Sequence, residues 1–142
     1  KTGNKLIPVA HGCIRTKPEM QKEQRLQIIY ESLNKIMKKY QPQEVAVEEL
    51  FFAKNVKTAL SVAQARGVIL LAISKKDLAF KEYTPNQVKQ AVCGYGGADK
   101  KQVQEMVKTL LKLDNIVKPD DAADALAIAI CHANSSRVLN IK

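Results

Sequence analysis

From Asp121 to about Asn134 the chain reads DAADALAIAICHAN. Ala and Ile take up nearly every side of this helix-forming run, and a helix that is apolar all round has to be enclosed by other elements. The rest of the sequence must therefore supply layers to cover it. It must also account for the two acids, Asp121 and Asp124, at the start of the run.

The enclosing elements alternate in type. Leu6 to Thr16 (LIPVAHGCIRT) is rich in β-compatible residues between a Gly3-Asn4 turn signal and Pro18, and predicts a strand. From about Lys22 to Tyr40, Leu26, Ile29, Tyr30, Leu33, Ile36, Met37 and Tyr40 recur at spacings of three and four, which predicts a helix. Glu44 to Leu50 (EVAVEEL) predicts a short buried parallel strand ending in two carboxylates. Val56 to Ser74 keeps helical spacing around Gly67, where close approach of another backbone is expected. Leu78 to Tyr83 predicts a further strand. Thr84-Pro85-Asn86-Gln87 is a capping box with proline at the first helical position, opening a helix to about Cys93. A glycine-rich turn, Gly94 to Asp99, then precedes an amphipathic helix from Lys100 to Leu113. Strands separated by helices indicate an α/β fold in one domain, 1–142, with its chemistry at the carboxyl ends of the strands.

Composition narrows the function. The 142 residues carry 23 Lys and Arg against 14 Asp and Glu, a net charge of +9, and that surplus on the surface suits a polyanionic partner. Apolar runs are too short or too interrupted for a bilayer that needs about 20 residues. No secretory signal pattern opens the chain. Cys13, Cys93 and Cys131 have neither disulfide-framework nor zinc spacing, so reduced thiols in a cytoplasm are expected.

Asp121 and Asp124, three residues apart, face the same way on a helix, about 60° apart around its axis. For Asp121 a helix-capping role competes with a functional one. Asp124 lies among Ala122, Ala123, Ala125, Leu126, Ala127 and Ile128, where a carboxylate is costly unless paired or metal-bound. Magnesium takes oxygen ligands, and a pair of such ions can stabilise both attacking and leaving oxygens in phosphodiester cleavage. Glu48 and Glu49 offer a third carboxylate, and alternation along the strand leaves open which of them faces the site. His132 is too far along the helix from Asp124 to share an ion and reads as structural, as does His11.

Five segments then carry a resemblance. GCIRT (Gly12 to Thr16), VEELFFAKN (Val47 to Asn55), QARG (Gln64 to Gly67), QVKQ (Gln87 to Gln90) and DAADALAIAI (Asp121 to Ile130) resemble, in order and at matching spacing, the RuvC family of crossover (Holliday) junction endodeoxyribonucleases. The resemblance implies a ribonuclease H-like fold, a mixed five-stranded sheet flanked by helices. It implies a bacterial cytoplasmic homodimer that acts in DNA recombination and repair with the RuvA and RuvB branch-migration complex, nicking four-way junction DNA symmetrically. It implies Mg2+, two ions per site, with Mn2+ able to substitute. It assigns the metal and catalytic carboxylates to Glu48, Asp121 and Asp124, leaving Glu49 as a neighbour, and a catalytic role to Lys100. Phe51, Lys54, Lys89 and Lys100 become expected DNA contacts, Phe51 by stacking on an unpaired base.

The chain departs from the family at one point. An opening strand of the form G-I-D-P-G, with a fourth acidic residue, has no counterpart here, so the chain is expected to be a fragment without the first two strands, and to cleave little by itself. Two other readings remain open: a ribonuclease H-like nuclease acting on a different nucleic acid such as an RNA–DNA hybrid, and a junction-binding module without catalysis.

Overall fold

A computed structural model describes residues 5–49 and 56–135. Elements follow the order α1 (Lys22–Tyr40), β1 (Glu44–Glu48), α2 (Val56–Ser74), β2 (Ala79–Tyr83), α3 (Pro85–Cys93), α4 (Lys100–Leu111) and α5 (Asp120–Ser135). The two strands pair with each other. At their carboxyl ends the Glu49 N–H donates to the Tyr83 carbonyl at 2.9 Å, as a parallel pair joined through a helical crossover requires.

The described residues fall into two compact units, one within 5–13, 46–49 and 81–135, the other within 14–45 and 56–80. In the first, the core covers one side of the apolar helix, and Ala125 and Ala129 on its other side are exposed where enclosure was expected. Ala127, Ile130 and Cys131 of α5 are buried with Val88 and Val92 of α3, Val103, Val107 and Leu111 of α4, and Tyr83 and Ala98. Val117 packs separately with Ala122 and Ala123 at the start of α5.

Local chemistry sets the ends of these helices. Thr84 Oγ1 accepts from the Gln87 N–H at 3.2 Å, and Gln87 Oε1 accepts from the Thr84 N–H at 2.9 Å, the capping box read from the sequence. Gly94 ends α3 at φ +84°, a conformation that glycine adopts without steric cost. Asp99 and Gln102 repeat the reciprocal arrangement at α4, each bond 2.9 Å. The second unit is the packed pair α1 and α2, with Met37, Ala72 and Ile73 buried in it. Ile36 and Tyr40, grouped with the inward residues by periodicity, are exposed at 44% and 42%.

Three expectations need correction. Leu6 to Thr16 forms no strand; the one isolated bridge nearby is at Lys5, just before the segment. β-Propensity stabilises a strand only against a partner, Pro8 has no ladder donor, and Leu6 to Ala10 instead lie along Leu111 of α4 and Leu126 and Ile130 of α5. Around Gly67, among the described residues outside its own helical turn, no atom lies within 4 Å of where a Cβ would sit, so the expected close backbone approach is not found there. The last helix begins at Asp120, one residue earlier than the pattern suggested. No helix among the described residues is long and apolar enough to cross a membrane.

Candidate active site

Glu48 ends β1, and Asp124 stands one turn into α5. The two line one concavity of about 210 Å³ together with Lys89 of α3, Lys100 of α4, and the apolar floor Val88, Val103, Ala127 and Ile128. Partial burial, and after it the negative charge of Asp124, push the Glu48 carboxyl above its ordinary value. Two carboxylates within electrostatic reach of each other repel, and a cation between such groups relieves both.

One cation already stands close. The Lys100 ammonium lies 3.6 Å from Asp124 Oδ2 and 3.4 Å from Asp120 Oδ2. Asp124, and next the hydrogen bond to Asp120, hold Lys100 more firmly protonated than usual. Asp120 also accepts a 2.8 Å hydrogen bond from Lys118, and with help from the Gln104 and Lys100 side chains its carboxyl is held below the ordinary range. Asp124 is paired, as an acid in an apolar helix should be, but its side chain is 46% exposed. Desolvation is therefore weaker at this position than its alanine-rich neighbours imply.

The sequence-predicted residues divide into three groups. Glu48, Asp124, Lys89 and Lys100 are brought together. Asp121 is exposed in the first turn of α5 and is not among the residues lining the concavity. Phe51 and Lys54 lie outside the described residues. Asp120 escaped the sequence reading. Its signal is the i, i+4 spacing to Asp124, which puts it nearer in angle to Asp124 than Asp121 is, but a helix expected from Asp121 leaves Asp120 outside it.

The oxygen-only donors suit a hard divalent ion, which takes one or two carboxylates and completes its shell with water and phosphate. No group of three or more His, Cys, Asp or Glu side chains at metal-holding spacing occurs among the described residues. Glu48 and Asp124 are thus a two-carboxylate platform with Asp121 close along the helix. His132 is clear of it, bonded through Nδ1 to the Tyr83 hydroxyl at 2.9 Å with the rings edge to face, in keeping with a structural part. His11 is exposed on irregular chain. A larger concavity of about 520 Å³, lined by Tyr83, Gln87, Gln90 and Ser135 among others, holds none of these carboxylates. Hydrogen bonds within the protein already engage those four side chains.

A family model described as crossover junction endodeoxyribonuclease RuvC matches residues 1–132. The chain is 56% identical over 140 residues to the crossover junction endodeoxyribonuclease RuvC of Desulfitobacterium hafniense, covering 99% of this chain and 85% of that protein. It is 56% identical over 137 residues to that of Thermosipho melanesiensis, covering 96% and 87%. Among solved structures, Thermus thermophilus RuvC in complex with a Holliday junction substrate superposes with a TM-score of 0.84 at 36% identity, covering 88% of this chain and 76% of that one. A further Thermus thermophilus RuvC structure superposes with a TM-score of 0.81, also at 36% identity. The fold is accordingly ribonuclease H-like, and the chain belongs to the RuvC family of crossover junction endodeoxyribonucleases.

Proposed function

We infer that this protein is a structure-specific DNA endonuclease that resolves Holliday junctions by metal-dependent hydrolysis of phosphodiester bonds. The observation that carries the reading is the joining of Glu48 and Asp124 with Lys89 and Lys100 in one concavity, in a chain so similar to a RuvC seen with a Holliday junction.

Each residue has a definite task. Glu48 and Asp124, with Asp121 one turn earlier, supply the oxygen donors for Mg2+, or Mn2+ in its place. When bound, such ions lower the pKa of water and stabilise charge on the phosphate oxygens. Lys89 and Lys100 face the same space and draw the DNA backbone into it, a contact that positions the strand without reading its sequence. Water adds to phosphorus, one ester oxygen leaves, and Lys100 is placed to stabilise the charge that develops. Phe51 and Lys54 are further DNA contacts in this reading. It extends to a homodimer cutting opposite strands symmetrically, working with the RuvA and RuvB complex in recombination and repair.

Binding and cutting are separable. Full-length protein is bound to a labelled four-way junction in calcium and then transferred to magnesium. Paired nicks at symmetric positions are the expected result. Binding that never proceeds to nicks supports the non-catalytic module, and equal cutting of an RNA–DNA hybrid supports a nuclease of another substrate class.

A further inference from the structure

Lys100 stands at an unusual point of balance. Its distances to Asp120 and Asp124, 3.4 and 3.6 Å, both exceed the 2.7–3.2 Å typical of a committed hydrogen bond, so the ammonium is shared between two carboxylates. The geometry around it is a face-to-face pair of i, i+4 rows. Lys100 and Gln104 lie one turn apart on α4, and Asp120 and Asp124 lie one turn apart on α5. Asp120 is fixed from two further sides. Lys118 holds Oδ1 at 2.8 Å, leaving Oδ2 for Lys100, and the side chain of buried Gln104 also helps to keep this carboxyl below its ordinary range.

The two acids have different surroundings. Asp124 shares the concavity with Glu48, whereas Asp120 is absent from its lining. Were Glu48 and Asp124 to hold a divalent cation, Lys100 would lose part of its contact with Asp124 and keep Asp120, which lies outside that lining. Without a second anchor, the displaced ammonium on its flexible four-carbon stem would sample solvent.

We propose that Asp120 is a positioning residue: it retains the Lys100 ammonium at the rim of the site when Asp124 turns to a metal ion, so that the lysine meets the phosphate from a fixed place. This rests on the junction-cutting reading above. Lys118 and Gln104 act through Asp120 by holding its carboxylate in orientation.

The test reads Lys100 directly. Metal-free and calcium-loaded full-length protein are labelled with an amine-acylating reagent, and the rates at Lys100 and at neighbouring Lys101 are compared by mass spectrometry. In the wild type, calcium should leave the Lys100 rate nearly unchanged. In Asp120→Asn, calcium should raise it about twofold to fivefold relative to Lys101, the range expected for losing an exposed ion pair, and Asp120→Glu should restore protection. Cleavage provides the second arm. Asp120→Asn should slow single-turnover cutting by a similar factor, about twofold to fivefold, with junction affinity in calcium nearly unchanged. Asp120→Asn/Lys100→Ala should be no slower than Lys100→Ala alone. The proposal is overturned by calcium-loaded Asp120→Asn whose Lys100 stays protected, or by a double variant whose defects multiply. If the wild type cuts no junction, the functional reading fails, while the labelling still decides whether Asp120 retains Lys100.

Discussion

The unit bearing Glu48, Lys100 and Asp124 and the unit built from α1 and α2 both rest on helices with regular apolar spacing, and they finish their interiors differently. Around α5 the apolar residues close over one another: Val107, Ile130 and Cys131 are 1–2% exposed, and α3 and α4 both start on reciprocal caps. In the α1–α2 unit Met37, Ala72 and Ile73 are buried, yet Leu60 and Leu71 are 61% and 55% exposed. A site that must hold two like charges beside each other needs supports that cannot yield, and a close-packed interior gives that rigidity. Among the described residues the difference is one of extent: ten buried residues close over one another around α5, against Met37, Ala72 and Ile73 in the α1–α2 unit.

The predictions that test this contrast run from chemistry to packing. Asp124→Asn should reduce junction cleavage at least about a hundredfold, since loss of even an outer-shell partner costs roughly 10–100-fold, with binding in calcium nearly intact. Equal loss of binding would break the separation between carboxylate and phosphate contacts. Ile130→Ala, behind the site, should destabilise the protein by about 2–5 kcal/mol, read as a lower urea midpoint at unchanged slope. Thr84→Ala, which removes the cap of α3, should cost about 1 kcal/mol.

A subtler effect concerns pH. Burial and the charge of Asp124 raise the folded-state pKa of Glu48 above its ordinary 4.5, so the folded protein takes up this proton more readily than the unfolded chain. The group therefore opposes folding when ionised. That opposition is complete above the raised pKa and is relieved as pH falls through it towards 4.5. Carbon-detected NMR titration should put the Glu48 midpoint above 4.5 and move it down in Asp124→Asn, which keeps the burial but removes the like charge. An unmoved midpoint would mean that the two carboxylates do not sense each other. Smallest of all, Leu71→Ala on exposed α2 should alter stability by no more than about 0.5 kcal/mol; a loss matching that of Ile130→Ala would erase the difference between the units.

Much of this was legible in the sequence because its signals are local. Periodicity places α1, α2 and α4, the Ala- and Ile-rich run places α5, and Thr84-Pro85-Asn86-Gln87 announces the start of α3. Glu44 to Glu48 reads as a strand because its apolar, β-branched start is short and follows a proline break. Leu6 to Thr16 misled for the opposite reason: its composition favours a strand, and pairing, which sequence pattern does not reveal, is absent there among the described residues. At the site, spacing found Asp124 and the resemblance selected Glu48 over Glu49. Asp120, which pairs with Lys100, lies one residue before the expected helix start and so drew no attention as a helical acid. The sharing of one ammonium by two acids on α5 depends on α4 meeting that helix, a tertiary fact beyond any local pattern.

The central claim is that the Glu48–Asp124 site cuts DNA because it is a four-way junction. The most direct measurement is the single-turnover cleavage rate in magnesium, for full-length wild type and Asp124→Asn, on a labelled junction, its linear duplex and an RNA–DNA hybrid of the same sequence. Symmetric nicks confined to the junction, lost in Asp124→Asn, are the predicted result. Comparable cutting of duplex or hybrid, or junction cutting that survives Asp124→Asn, would contradict it.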